Sequence, residues 1–109
     1  LYPWFHGTMN RYDATQLVLR DGRVGGDGVF LVRKSTSKPG ELVLTFNYHG
    51  IAKHLRISVL DDGRCKVQHL CFGDLFDLLE HFRDYPIHLD RSDPDQLVKL
   101  TDYIVVTKE

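Results

Sequence analysis

Five consecutive residues, Arg33-Lys34-Ser35-Thr36-Ser37, gather two cations, three hydroxyls and a stretch of loop amides, the set of donors that a phosphate oxyanion needs. Arg33 lies near the end of the run Gly28-Val29-Phe30-Leu31-Val32-Arg33-Lys34-Ser35. Val29 to Val32 is β-branched, aromatic or aliphatic throughout, the mark of a strand buried on both faces. A guanidinium at the end of such a strand is always charged, and leaving it buried without a partner costs roughly 3–5 kcal/mol. Some anion must therefore meet it. A carboxylate of the chain, with Asp13 and Glu41 as candidates, would make Arg33 a structural ion pair; a ligand phosphate would make it a binding residue. Lys34, Ser35, Thr36 and Ser37 favour the ligand, because an internal pair has no use for them.

The other chemistry-bearing side chains are His49, His54, His69, Cys65 and Cys71, residue types that serve as zinc ligands or nucleophile partners. Their spacing is poor for either task. There is no Cys-x-x-Cys and no pair of histidines at a helical interval, and Cys65, His69 and Cys71 straddle a strand and a loop. A zinc-binding or enzymatic domain built on those three is a remote alternative, and neither a metal nor another cofactor is expected. The two cysteines read as small, semi-buried apolar side chains in a reducing compartment. Tyr12, Tyr48, Tyr85 and Tyr103 carry nothing that distinguishes them from ordinary exposed tyrosines.

The elements that must position Arg33 follow from periodicity. Asn10 can cap a helix to about Arg20, with Asp13 in its first turn and Ala14, Leu17 and Val18 at helical spacing. Asp21-Gly22 and Gly25-Gly26 break it. Beyond the turn Lys38-Pro39-Gly40, two alternating strands, Leu42 to Phe46 and Ala52 to Ser58, are joined around His49-Gly50. A two-residue loop there sets Phe46 opposite Lys53, Thr45 opposite His54, Leu44 opposite Leu55 and Val43 opposite Arg56. One face is then Leu42, Leu44, Phe46, Leu55 and Ile57; the other carries Thr45, Asn47, His54 and Arg56.

Asp62-Gly63 turns into a short strand, Arg64 to Gln68. A second helix from about Gly73 to Arg83 buries Leu75, Leu78, Leu79 and Phe82 and shows solvent Asp74, Asp77, Glu80 and Asp84. Pro86 to Leu97 reads as a polar loop, and Tyr103 to Val106 as a closing strand. Trp4 and Phe5 are expected to pack under the first helix. The fold class is α+β: a central antiparallel sheet with one helix on each face.

A chain of 109 residues with 42% hydrophobic content suits a single domain, 1–109, burying roughly two-thirds of its unfolded surface. Its net charge of −1 excludes a general polyanion binder. The charge is uneven, however: residues 31–66 hold seven Lys/Arg against three Asp/Glu, and residues 67–109 four against nine. The basic block surrounds Arg33, which fits a local anionic ligand. No apolar stretch approaches the roughly 18 residues of a membrane span, and Leu1-Tyr2-Pro3-Trp4 lacks the pattern of a signal peptide. A soluble piece excised from a longer, cytoplasmic protein is expected.

Trp4-Phe5-His6-Gly7, Arg11, Phe30-Leu31-Val32-Arg33-Lys34-Ser35, Lys53-His54-Leu55-Arg56 and Leu75 to Phe82 together resemble the Src homology 2 (SH2) domain over nearly the whole chain. Tyr2 to Gly7, Val43 to Asn47, Ala52 to Arg56 and Val67-Gln68-His69-Leu70 look more narrowly like the Lnk/APS (SH2-B) adaptor branch, from which Tyr12-Asp13 and the loop Asp90 to Gln96 depart. The resemblance implies a non-catalytic phosphotyrosine-peptide reader. Arg33 would grip two phosphate oxygens, Arg11 would reach phosphate and ring, and Ser35, Thr36 and Ser37 would close over the rest. Arg56 would flank the ring, and His54 would orient the pocket through a backbone hydrogen bond. Leu55, Val67, Leu70, Ile87 and Leu89 would line a second pocket for an apolar residue about three positions after the phosphotyrosine. The implied partners are phosphorylated receptor or Janus-family tyrosine kinases, recruiting the parent adaptor to the plasma membrane. The same module within a larger kinase, phosphatase or ligase is the alternative.

Overall fold

The computed structural model describes residues 2–21, 26–90 and 92–105. Gly22 and Gly25 of the expected helix-breaking segment and Val106 of the expected closing strand lie outside the described residues. Six strands form one sheet in chain order: β1 (Phe5–Thr8), β2 (Phe30–Lys34), β3 (Glu41–Tyr48), β4 (Ile51–Val59), β5 (Cys65–Val67) and β6 (Leu70–Phe72). Neighbours from β2 to β6 are antiparallel, whereas β1 lies parallel to β2. Helix α1 (Arg11–Asp21) connects β1 to β2, and α2 (Leu75–Asp84) follows β6. A two-stranded sheet, β7 (Ile87–His88) with β8 (Leu97–Val98), completes the described elements.

The sheet separates two apolar cores. On one face Phe30, Val32, Leu44, Phe46 and Ile57 pack with Leu78, Leu79 and Phe82 of α2. On the other, Leu31 meets Ala14 and Val18 of α1, with Val29 and Ile104. One helix covers each face, and β2 is buried on both sides because its alternate residues feed different cores. Arg33 shares the parity of Leu31, so it emerges on the α1 side.

Both helix starts have a chemical cause. The Asp13 N–H donates to Asn10 Oδ1 at 2.8 Å, and the Asp77 N–H to Asp74 Oδ1 at 2.8 Å, each satisfying a first-turn amide that the helix cannot. In the β3–β4 hairpin, Phe46 faces Lys53, Thr45 His54, Leu44 Leu55 and Val43 Arg56, the register read from the sequence. His49 and Gly50, at φ 51° and 81°, are both left-handed, as a two-residue turn matched to strand twist requires.

Three expectations are corrected. Trp4 and Phe5 pack on the α2 side, not under α1: Trp4 belongs to the core containing Phe82 and meets Phe76 edge-on at 5.7 Å. Parallel pairing of β1 to β2 carries the chain across that face, an arrangement four residues of mixed polarity do not announce. The loop from Pro86 to Leu97 contains β7, paired with β8 that begins at the loop's last residue, and Tyr103 makes only an isolated bridge to Phe30 among the described residues. No helix among the described residues is long and apolar enough to cross a membrane.

Candidate functional site

Antiparallel pairing brings the end of β2 beside the start of β3, and α1 begins directly above. Between them lies a cavity of about 250 Å³. Arg33 and Arg11 reach it from β2 and α1, His54 and Arg56 from β4, and Ser35, Thr36 and Ser37 from the β2–β3 loop. These are the seven residues the sequence singled out, placed in one hollow. Lys38, Glu41 and Val43 also line it and were missed. Glu41 and Val43 share the parity of Thr45 on β3, a signal that was present; Lys38 simply continues the basic hydroxyl loop.

Arg33 is only 5% exposed. Its Nη1 donates to the Met9 carbonyl at 2.9 Å, its Nε to Thr45 Oγ1 at 3.2 Å, and its Nη2 to His54 Nδ1 at 3.4 Å. A guanidinium has five N–H donors, so two have no partner among the described residues, one on each terminal nitrogen. Among the described residues no carboxylate pairs with it. The Asp13 carboxylate accepts from Asn10 Nδ2 at 3.3 Å, and Glu41 faces Arg56, with 4.0 Å between Oε1 and Nε. Burial, and then the neighbouring Arg11, lower the guanidinium's affinity for its proton, but it stays charged.

The hydrogen bonds around it fix a polarity. Arg33 cannot accept, so His54 Nδ1 must be the unprotonated nitrogen. Thr45 then donates its hydroxyl proton to Nδ1 at 2.9 Å, sharing that nitrogen's one lone pair with the longer contact from Arg33 Nη2, while accepting from Arg33 Nε, and His54 Nε2 donates to Thr15 Oγ1 at 3.4 Å. His54 thus positions Arg33 through side chains, where a backbone bond had been expected. Burial first, then Arg11 and Arg33, push its pKa down to about 4.

This carries a prediction. The unfolded chain holds His54 near its ordinary 6.5, so between pH 6.5 and 4 the unfolded state binds more protons and stability falls as pH drops. Below about 4 the contribution is flat. For a half-buried ring screened by solvent the loss should be about 1–2 kcal/mol. Proton NMR of the His54 ring across this range checks it; a ring that titrates at 6.5 in the folded domain contradicts the network.

Ser35 organises the loop. Its hydroxyl accepts from the Ser37 N–H at 3.2 Å and the Lys38 N–H at 3.1 Å, and its own N–H donates to the Glu41 carbonyl at 3.0 Å. The loop therefore curls over the cavity mouth with Thr36, Ser37 and Lys38 exposed along it.

A second cavity, about 650 Å³, opens between the β5–β6 turn, the last turn of α2 and the segment after it. Of the five residues expected to line it, the structure brings only Leu70 there. Val67 and Ile87 are 1% and 0% exposed, within the core beneath, and Leu55 and Leu89 pack against that core from its edge. The remaining walls come from Gln68 and His69, from His81, Phe82 and Tyr85, and from Pro86, His88, Asp90 and Pro94. Gln68, at φ 54°, turns the chain so that it and His69 project outward where Val67 points in. Strand parity identified the correct face but not the overlay of α2 on it.

Among the described residues no group of three or more His, Cys, Asp or Glu is arranged to hold a metal. Cys65 is buried and Cys71 exposed, and burial, then Asp74 and Cys71, push the Cys65 thiol up, keeping it in the form that neither ligates nor attacks.

Comparison with known proteins settles the family. The family model for the SH2 domain matches residues 4–82. The chain belongs to the SH2 domain family. It is 49% identical over 108 residues to human SH2B adapter protein 3, covering 99% of this chain and 18% of that protein. Rat growth factor receptor-bound protein 14 is 40% identical over 91 residues, 74% of this chain and 16% of that protein. The chain thus spans under a fifth of either relative. Among solved structures, the SH2 domain of a CRK/CRKL homolog from Monosiga brevicollis superposes with a TM-score of 0.77 at 26% identity, covering 97% of this chain and 89% of that one. The SH2 domain's basic cavity is lined by residues of α1, β2, β3 and β4 and of the β2–β3 loop, and its apolar cavity by residues of the β5–β6 turn, α2 and the segment after it.

Proposed function

We propose that this SH2 domain is the phosphotyrosine-peptide-binding module of a non-catalytic signalling adaptor. The observation that carries the reading is Arg33: a buried guanidinium that, among the described residues, has two N–H groups unspent and no carboxylate partner, with Arg11, Lys38 and Arg56 around the same hollow. Phosphotyrosine brings about −1.5 to −2 charge and three acceptor oxygens on a long ring. Arg33 grips two of those oxygens, Arg11 reaches phosphate and ring, Ser35, Thr36 and Ser37 supply loop donors, Arg56 flanks the ring and His54 holds Arg33 in place. Depth gives selectivity, since phosphoserine is too short to reach Arg33.

The larger cavity takes an apolar side chain about three residues later, with Leu70, Phe82 and Tyr85 as its apolar walls. Filling it contributes about 1.5–3 kcal/mol, less than the roughly 2–5 kcal/mol at stake in a buried charge pair. Phosphate is the switch and the apolar residue the address. Similarity to SH2B adapter protein 3 supports an adaptor parent; a cytoplasmic location and recruitment to the plasma membrane by phosphorylated receptor or Janus-family kinases belong to the same proposal.

Calorimetric titration tests this reading. A phosphotyrosine peptide with Leu or Ile at the third following position should bind near micromolar, about −8 kcal/mol, and its phosphoserine and unphosphorylated counterparts at least 100-fold more weakly. Equal binding of the three would overturn it.

A further inference from the structure

The basic cavity contains one group of the wrong sign. Among the described residues lining it, Glu41 is the only carboxylate, set against Arg11, Arg33, Lys38 and Arg56. Its position is fixed by the backbone. The Ser35 N–H donates to the Glu41 carbonyl at 3.0 Å and the Glu41 N–H to the Lys38 carbonyl at 3.2 Å, so Glu41 closes the base of the phosphate loop. The β3–β4 register sets Glu41 opposite Ser58 and Val43 opposite Arg56, which makes Glu41 and Arg56 diagonal neighbours on one face. Oε1 lies 4.0 Å from Arg56 Nε, the Glu41 side chain 29% exposed and that of Arg56 67%.

We propose that Glu41 is an affinity-setting residue of the phosphotyrosine site: a built-in anion that engages Arg56 while the cavity is empty and opposes the incoming phosphate. The inference rests on the phosphotyrosine reading and deepens it. The phosphate must draw Arg56 away from Glu41 and then sit beside a carboxylate while carrying about −1.5 to −2 charge itself. Across a partly hydrated cavity those two effects lower affinity by about 3–10-fold. The opposing charge keeps a strongly cationic socket reversible.

Glu41→Gln keeps shape and backbone bonds while removing the charge; Glu41→Ala removes the side chain. Both should bind a phosphotyrosine peptide about 3–10-fold more tightly than the wild-type domain at low ionic strength. The gain should shrink toward unity near 1 M salt, where the screening length is about 3 Å. In an Arg56→Ala background the gain should also be smaller, because no pair remains to be broken. Variants that bind as wild type, or more weakly, overturn the inference while leaving the phosphotyrosine reading intact, and a gain undiminished without Arg56 overturns the engagement of that residue. A wild-type domain that binds no phosphotyrosine peptide overturns the underlying reading and this one with it.

Discussion

Replacing Arg33 by alanine is expected to weaken phosphotyrosine-peptide binding by roughly 2–5 kcal/mol, about 30-fold to several thousand-fold. The loss is large because the group is pre-organised: Thr45, Met9 and His54 hold it in place, and the ligand does not have to order it. Arg33→Lys should rescue little, since an ammonium cannot reproduce three fixed bonds and a two-pronged grip on oxyanions. The variant should remain folded. Removing the guanidinium leaves the Met9 carbonyl and Thr45 hydroxyl short of a donor, worth about 1–3 kcal/mol, but it also relieves the desolvation of a buried charge. Calorimetry paired with a thermal melt separates the two: a melted variant would be uninformative about binding, and a folded one with undiminished affinity would contradict the role given to Arg33.

Gly28→Ala should do the opposite, destroying the fold rather than the site. Gly28 has φ +86° and sits between β3 and the segment after β8, its N–H donating to the Asn47 carbonyl at 2.8 Å and its carbonyl accepting from the Thr101 N–H at 2.9 Å. A Cβ there would fall on the Lys99 carbonyl oxygen, and within 3.1 Å of both the Lys99 carbonyl carbon and the Thr101 nitrogen. All three are backbone atoms, which cannot swing aside as a flexible side chain would. Left-handed strain of about 1–3 kcal/mol and overpacking of about 1–3 kcal/mol add to a sizeable part of the 5–15 kcal/mol that holds a typical domain together. Urea denaturation should show a loss of at least about 3 kcal/mol or a chain already unfolded in buffer; a loss under 1 kcal/mol would mean the backbone yields there.

Gly28 also marks where the sequence was silent. Its tolerance of positive φ was easy to anticipate, but its apposition to Lys99, more than 70 residues away in sequence, comes only from the path of the C-terminal segment across β2. The hairpin was the opposite case. His49-Gly50 fixes a two-residue turn, and the turn fixes every pair from Tyr48 opposite Ile51 outward, so the faces of Thr45, His54 and Arg56 were legible from local chemistry alone. The basic cavity inherited that legibility, because it is built from one hairpin, one strand end with its loop, and the first turn of a capped helix. The apolar cavity did not. Its walls come from the end of α2 and the segment after it, where Val67 and Ile87 turn inward and His69, His81 and His88 stand in the places assigned to aliphatic residues. Nothing periodic marks which side of a two-residue strand such as β7 faces a neighbouring helix.

The most direct test of the central claim follows the side-chain N–H resonances of Arg33 by NMR while a phosphotyrosine peptide is titrated into the wild-type domain. The Nε–H and terminal N–H signals should shift strongly and slow their exchange with water at stoichiometric peptide, with the bond to Thr45 retained. Saturable binding that leaves the Arg33 signals unmoved would place the phosphate elsewhere and contradict the account.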